Sequence, residues 1–174
     1  MTGEEFPLSY RFVPRRSYIE LFALLRQAPA YYSKVYQRPP AISDAEEVLH
    51  KLPASVSFNS KMSVGVYSGN SLLAVVDWIS GYPLPHVCFI GLLLISERYQ
   101  RSGLGSRIVR DLELNRDISN KTVLRLAVVN SNFNVKSFWL RQGFTFKYTK
   151  PSLSFSAPIM IMEKRLEKPL ERAD

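Results

Sequence analysis

Two almost wholly apolar runs, "HVCFIGLLLI" (His86 to Ile95) and "TVLRLAVV" (Thr122 to Val129), flank a stretch of helical pattern. That stretch starts inside "YQRSGLGSR" (Tyr99 to Arg107), and Leu104, Ile108, Val109 and Leu112 mark one face of it. Two strands joined by a helical crossover lie parallel in one sheet. Strands this apolar are buried on both faces. The chain is thereby committed to an α/β fold with these two strands at its centre.

The flanking segments supply the rest of the sheet. "SYRFV" (Ser9 to Val13) reads as a first strand. Ser17 and Glu20 have capping-box spacing ahead of Tyr18, Leu21, Phe22 and Leu25, and Pro29 ends that helix. "AYYSKVYQRPP" reads as an aromatic, basic connector. A second box, Ser43 and Glu46, opens a helix that Pro53 stops. "KMSVGVY" and "SLLAVVDWI" around "SGN" read as an antiparallel hairpin. "NFNVKSFWLRQ" (Asn132 to Gln142) is a short helix with Val135, Phe138 and Trp139 on one face, stopped by Gly143. "FTFKY" and "PIMIMEKRL" give two last strands. The expected order is strand, two helices, three strands, helix, strand, helix, two strands. Residues 1–168 form one domain, and 169–174 a charged tail.

Composition narrows the class of function. With 174 residues, the chain can bury one sizeable core. The net charge of +8 is scattered, and its densest cluster, "RFVPRR" (Arg11 to Arg16), is too small for a basic tail, so no nucleic-acid partner is expected. Cys88 is the only cysteine, which excludes an intramolecular disulfide and fits a reducing, cytoplasmic setting. "CFIGLLLI" is far shorter than the roughly 20 residues of a membrane helix. Glu4 and Glu5 stand where a secretory leader would carry basic and apolar residues, so neither a leader nor a membrane partner is expected.

The turn at Tyr99 to Arg107 carries the chemistry. A strand-to-helix turn presents backbone N–H groups and the positive end of the helix dipole. Gly103 and Gly105 let a bulky anion approach the backbone, and Arg101 and Arg107 add charge. The turn is a phosphate cradle in outline. It is not a Walker loop, because no Lys follows, and not a dinucleotide fingerprint, because Ile108 stands where a third glycine or alanine belongs.

The pattern present, Gln100-x-x-Gly103-x-Gly105, resembles the acyl-CoA pyrophosphate loop of the GNAT family of N-acetyltransferases. "NSNFNVKSFWLRQGF" resembles that family's second signature, one strand downstream. "VVDWISGYP" followed by "FIGLLLI" resembles a bacterial subgroup with Gly-Tyr-Pro and Ile-Gly-Leu-Leu strands. The resemblance implies a single-domain fold with a mixed sheet of about six to seven strands and about four helices. It implies an enzyme that transfers acetyl from acetyl-CoA to an amine, with no metal. A non-catalytic acyl-CoA sensor is the alternative, and an RNA- or ribosome-directed role a weaker third.

The resemblance also implies site residues. The strand before the turn would splay from its neighbour. Backbone groups of Leu93, Leu94 and Ile95 would then hold pantetheine, with Leu94 polarising the thioester carbonyl. Gln100, Arg101, Ser102, Gly103, Leu104, Gly105 and Ser106 would take the pyrophosphate. Asn132 would contact the CoA arm, and the plain reading, a helix N-cap, is compatible with that role. The family's usual general acid, a Tyr, is replaced by Trp139, whose indole is no proton donor near neutral pH. The thiolate then leaves unassisted, or Tyr148, Tyr82 or Ser137 substitutes, or Trp139 packs against CoA.

Asp77 is the candidate base, because it interrupts an apolar strand and burial raises a carboxylate's pKa. The competing reading has Asp77 bonding the "SGYP" turn. His86 is a weaker base, expected at a solvated turn. Glu97 is expected to be solvated and Cys88 to be a buried apolar residue. Tyr31, Tyr32 and Tyr36, with Tyr82, would line the acceptor site, or simply pack their loop. The partner is a small-molecule or peptide amine, and a homodimer is the candidate assembly because this fold often pairs through its C-terminal strands.

Overall fold

The computed structural model describes residues 7–152, 154–155 and 157–166. The acidic opening residues Glu4 and Glu5 and the tail from Pro169 lie outside the described residues. The elements are β1 (Leu8–Phe12), α1 (Tyr18–Leu25), α2 (Pro29–Tyr36), α3 (Ile42–His50), β2 (Lys61–Ser68), β3 (Ser71–Ser80), β4 (Val87–Ile95), α4 (Leu104–Glu113), α5 (Arg116–Ser119), β5 (Val123–Val129), α6 (Phe133–Arg141), β6 (Thr145–Lys150) and β7 (Ile159–Arg165). The seven strands form one mixed sheet in the order β1-β2-β3-β4-β5-β7-β6. The expected crossover is present: β4 and β5 are parallel. The single-domain α/β expectation holds, and within it the chain groups into two compact units.

The first unit comprises Met1–Trp78 and Gly91–Ser102. Its core gathers Leu21, Leu24 and Leu25 of α1 with Tyr32, Ala45, Leu49, Val75 and Leu94. The three α1 leucines follow helical spacing and are at most 1% exposed, each worth roughly 1.5–3 kcal/mol of burial. β1 pairs antiparallel with β2, from Leu8 against Ser68 to Phe12 against Val64.

The early helices depart from expectation. The aromatic connector is largely a helix, α2, so three helices stand where two were expected. Pro29 begins α2 rather than only ending α1, because the first helical position has no N–H bond to lose. Ser17 makes no side-chain cap, and Glu20 instead accepts the Tyr67 hydroxyl at 2.9 Å. Burial and then that carboxylate push the Tyr67 hydroxyl up to about 12. α3 begins at Ile42, ahead of Ser43, and its box is built by Asp44. The Asp44 carboxylate accepts the Ala41 N–H at 2.7 Å and two Arg38 guanidinium bonds at 2.8 and 2.6 Å.

The second unit comprises Ile79–Ile90 and Gly103–Asp174. β4 and β5 share the register from Val87 against Val123 to Ile90 against Leu126. β5 then pairs antiparallel with β7 along its whole length, and β6 pairs with the other side of β7. Ile108, Val109 and Leu112 of α4 are buried, while Leu104 is only half-buried. The one-turn α5 carries no sequence signal of helical periodicity. Gly143, at φ 86°, stops α6 as expected. β6 is exposed throughout, an edge strand carrying Lys147 and Lys150.

Burial on both faces of β4 holds only in part. Val87, Cys88 and Ile90 are buried, but Gly91 is exposed and Leu92, Leu93 and Ile95 are half-buried.

Candidate functional site

In the first unit, β4 ends at Ile95 and a short 3-10 turn at Glu97–Tyr99 leads into the basic turn. Gln100 Nε2 donates to the Ile95 carbonyl at 2.8 Å, and Ser102 Oγ donates to the Tyr99 carbonyl at 2.6 Å. These bonds brace the turn from within. Arg101 adopts φ 59°, which a non-glycine residue takes only under constraint. The Leu94 side chain is core, so any role toward a ligand falls to its backbone.

In the second unit, Gly103 is the N-cap of α4 at φ 87° and ψ −10°. A Cβ added there would meet nothing within 4 Å. The residue is therefore chosen for its backbone conformation and the open space over it. A ten-residue helix follows, Leu104 to Glu113, whose N-terminal end carries the positive end of the helix dipole. Gly105 is buried, and Ser106 Oγ accepts a bond from Gln142 Nε2 at 3.0 Å. Gln142 went unnoticed in the sequence, and no spacing signal marks it.

Asn132 stands at the N-cap of α6, 5% exposed, yet its side chain makes no cap bond. Asn132 thus holds the N-cap position but not the side-chain bond that usually goes with it. Trp139 is 5% exposed and packs edge-on against Phe138 and Phe144, with ring centroids 5.0 and 4.9 Å away. It is a core residue of its helix.

Asp77 is buried, but not on the "SGYP" turn. Lys61 Nζ and Ser63 Oγ, both on β2, approach its Oδ2 at 2.6 and 2.8 Å. The turn-bonding reading fails because both partners lie across the hairpin. Burial is the largest influence and raises the Asp77 pKa, against the lowering effects of Lys61 and Ser63. His86 is exposed as expected, and its carbonyl accepts the Thr122 N–H at 2.9 Å. Cys88 is buried, a thiol rather than half of a disulfide. Glu97 is not merely solvated: its carboxylate accepts the Ala30 N–H at 2.8 Å and caps α2.

The three tyrosines of α2 form one cluster. Tyr32 is a core residue stacked on Tyr36 at 5.2 Å, and Tyr31 meets both edge-on. Burial raises all three hydroxyls. Tyr82 is half-buried, edge-on to Phe89 at 5.7 Å. An open groove of about 890 Å3 lies elsewhere, among Arg15, Arg16, Glu46, Glu47, His50 and Lys51, and none of the expected site residues lines it. No group of three metal-ligating side chains occurs among the described residues.

The model of the acetyltransferase (GNAT) family matches residues 21–144. Among solved structures, an acetyltransferase from Thermus thermophilus is similar, at TM-score 0.78 and 21% identity, over 91% of this chain and 97% of that one. An aminoglycoside acetyltransferase in complex with coenzyme A is similar at TM-score 0.68 and 18% identity, over 91% and 95%. A Vibrio cholerae spermidine N-acetyltransferase chimera is similar at TM-score 0.67 and 17% identity, over 91% and 95%. No curated protein matches the sequence.

Proposed function

The chain belongs to the GNAT acetyltransferase family, and from that premise we propose that it moves an acetyl group from acetyl-CoA to an amine by direct attack on the thioester. The observation that carries this reading is Gly103. A left-handed glycine with open space over it, at the head of a ten-residue helix, suits a pyrophosphate. Arg101 and Arg107 add positive charge to the turn. The bonds of Gln100, Ser102 and Ser106 hold the turn's shape before any ligand arrives, which lowers the ordering cost of binding.

The remaining roles are part of the same proposal. The backbone of Leu93 to Ile95 receives pantetheine, and a β4 backbone N–H at Leu94 meets the developing oxyanion. The Asn132 amide, which makes no cap bond, serves the CoA arm. Trp139 supports α6 rather than donating a proton, so the thiolate leaves unassisted. Asp77 serves the acceptor. The acceptor is a small-molecule or peptide amine. We place the reaction in the cytosol, in keeping with the buried Cys88 thiol. No helix among the described residues is long and apolar enough to cross a membrane.

The test is a pair of measurements: the melting shift with CoA, and CoA thiol release from acetyl-CoA over amino acids, peptides, polyamines and aminoglycosides. A shift with turnover on at least one amine of this panel is expected. A shift without turnover favours the acyl-CoA sensor instead.

A further inference from the structure

Among the described residues, the two side chains that hold Asp77 come from one strand. Lys61 and Ser63 of β2 both close on Oδ2. Its own strand offers Val75 and Ile79 on the same face. From β4 the facing residue is Gly91, and a Cβ placed there would stand 2.7 Å from Oδ1. Gly91 is exposed while Asp77 is only 4% exposed, so on the Gly91 side the carboxylate is covered by backbone that carries no side chain. Gly91 also shares a strand face with Leu93, one two-residue step of about 6.6 Å away, and with Ile95, a second step on.

Resting on the acetyl-transfer reading, we propose that Gly91 is an aperture through which Asp77 Oδ1 meets the acceptor amine, with Lys61 the positioning residue that fixes the carboxylate from behind. Lys61 offsets the carboxylate's charge, so the pair offers a proton acceptor more than a net negative charge. This favours the neutral amine, the form that attacks. The nitrogen lone pair forms the C–N bond, and the C–S bond breaks with its electrons passing to sulfur. The proton shed by nitrogen goes to Oδ1, and from there to the thiolate or solvent. Burial raises the Asp77 pKa, which makes it a better acceptor of that proton. A larger residue at position 91 would displace Oδ1 and fill the opening.

Two measurements on the full chain test this. The first is carbodiimide coupling of glycinamide to carboxylates, read by peptide mass spectrometry. Asp77 is expected to be labelled in the folded protein, and Gly91→Ala to suppress the label. An unlabelled Asp77 overturns the aperture. The second is the pH profile of acetyl-CoA turnover with glycinamide and n-butylamine. Asp77→Asn is expected to remove the acid limb and slow turnover by about 100-fold. Lys61→Met is expected to move that limb to higher pH, because it removes the charge that lowers the Asp77 pKa. Gly91→Ala is expected to reduce kcat/KM for the amine by about tenfold or more while KM for acetyl-CoA stays put. An acid limb that none of these variants moves overturns the proposal, since a purely structural ion pair predicts that result. No turnover by wild type with any primary amine overturns the acetyl-transfer reading and with it the acceptor role. Turnover with Asp77 unlabelled overturns the aperture alone.

Discussion

The carboxylate of Glu97, just past the end of β4, accepts the backbone N–H of Ala30 at 2.8 Å and so caps a helix 67 residues earlier in the chain. The N-cap residue itself, Ala28, has no side chain able to do this, and Pro29 has no N–H to satisfy. A second bond, from Glu97 N to the Gln27 carbonyl at 2.9 Å, ties the same two segments. Glu97→Ala is expected to cost about 1 kcal/mol, and Glu97→Gln less, because an amide oxygen still accepts. Urea denaturation checks this, with the midpoint falling and the slope unchanged. An unaltered midpoint in Glu97→Ala would show that the cap contributes nothing.

Asp44 gives the fold an acid-sensitive point. The two Arg38 bonds are the largest influence and hold its carboxyl below the usual range. A carboxylate depressed in the folded state contributes stability above its unfolded pKa of about 3.9. That contribution is lost as pH falls through the folded value. Wild type should therefore exceed Asp44→Asn in melting temperature near neutrality, and the gap should narrow in acid. A gap that stays constant to about pH 3 would contradict this linkage.

Lys61 and Asp77 run the other way. Lys61→Met leaves a buried carboxylate without its counter-charge, an effect of about 3 kcal/mol. The Asp77 pKa is raised in the folded state already and rises further in this variant. A raised carboxylate favours the fold below its unfolded pKa, and that advantage is lost as pH climbs through the folded value. The deficit of Lys61→Met should thus be greatest above neutrality and shrink in acid. Melting curves across pH decide it, and a deficit larger in acid would refute it.

How far the sequence reaches can be judged on particular residues. The parallel β4–α4–β5 crossover was readable because apolar runs and helical spacing are local signals. Gly143 was readable because a left-handed residue at a helix end favours glycine, while Gly103 was visible as a glycine that lets an anion near the backbone but not as a left-handed N-cap. Asp77 was visible as a charge in an apolar strand, but its partner was not, since Lys61 is brought opposite only by hairpin register. The Glu97 cap was hidden for the same reason, whereas Asp44, three residues past Ala41, was a local signal passed over for Ser43 and Glu46. Ser17 has the right spacing and no cap, while Ala41 and Ala30 are served by Asp44 and Glu97. α2 was missed because tyrosines and a proline read as a connector, and packing of Tyr32 into the core with α1 outweighs weak propensity.

Trp139 is expected to matter for stability more than for rate. Trp139→Phe keeps an aromatic ring against Phe144 and loses part of the buried surface, costing about 1–2 kcal/mol. Turnover should stay within a fewfold of wild type, about 1 kcal/mol or less in the barrier. A loss of several hundredfold in kcat with an unchanged melt would mean that the indole acts on the reacting groups.

The central claim, that the turn at Gln100 to Ser106 binds acetyl-CoA for transfer to an amine, is tested most directly by one titration on two proteins. Wild type and Gly103→Val are melted with rising CoA, and each is then assayed for thiol release from acetyl-CoA with the amine panel. Valine at φ 87° is strained by about 1–2 kcal/mol, but a Cβ there meets no neighbour within 4 Å, so the variant should fold. Wild type is predicted to gain about 2.7 kcal/mol at 100 times the dissociation constant and to release one thiol for each amine acetylated. Gly103→Val is predicted to melt cooperatively and show neither effect. A wild-type melt that millimolar CoA leaves unmoved, or a shift that survives intact in Gly103→Val, would contradict the account.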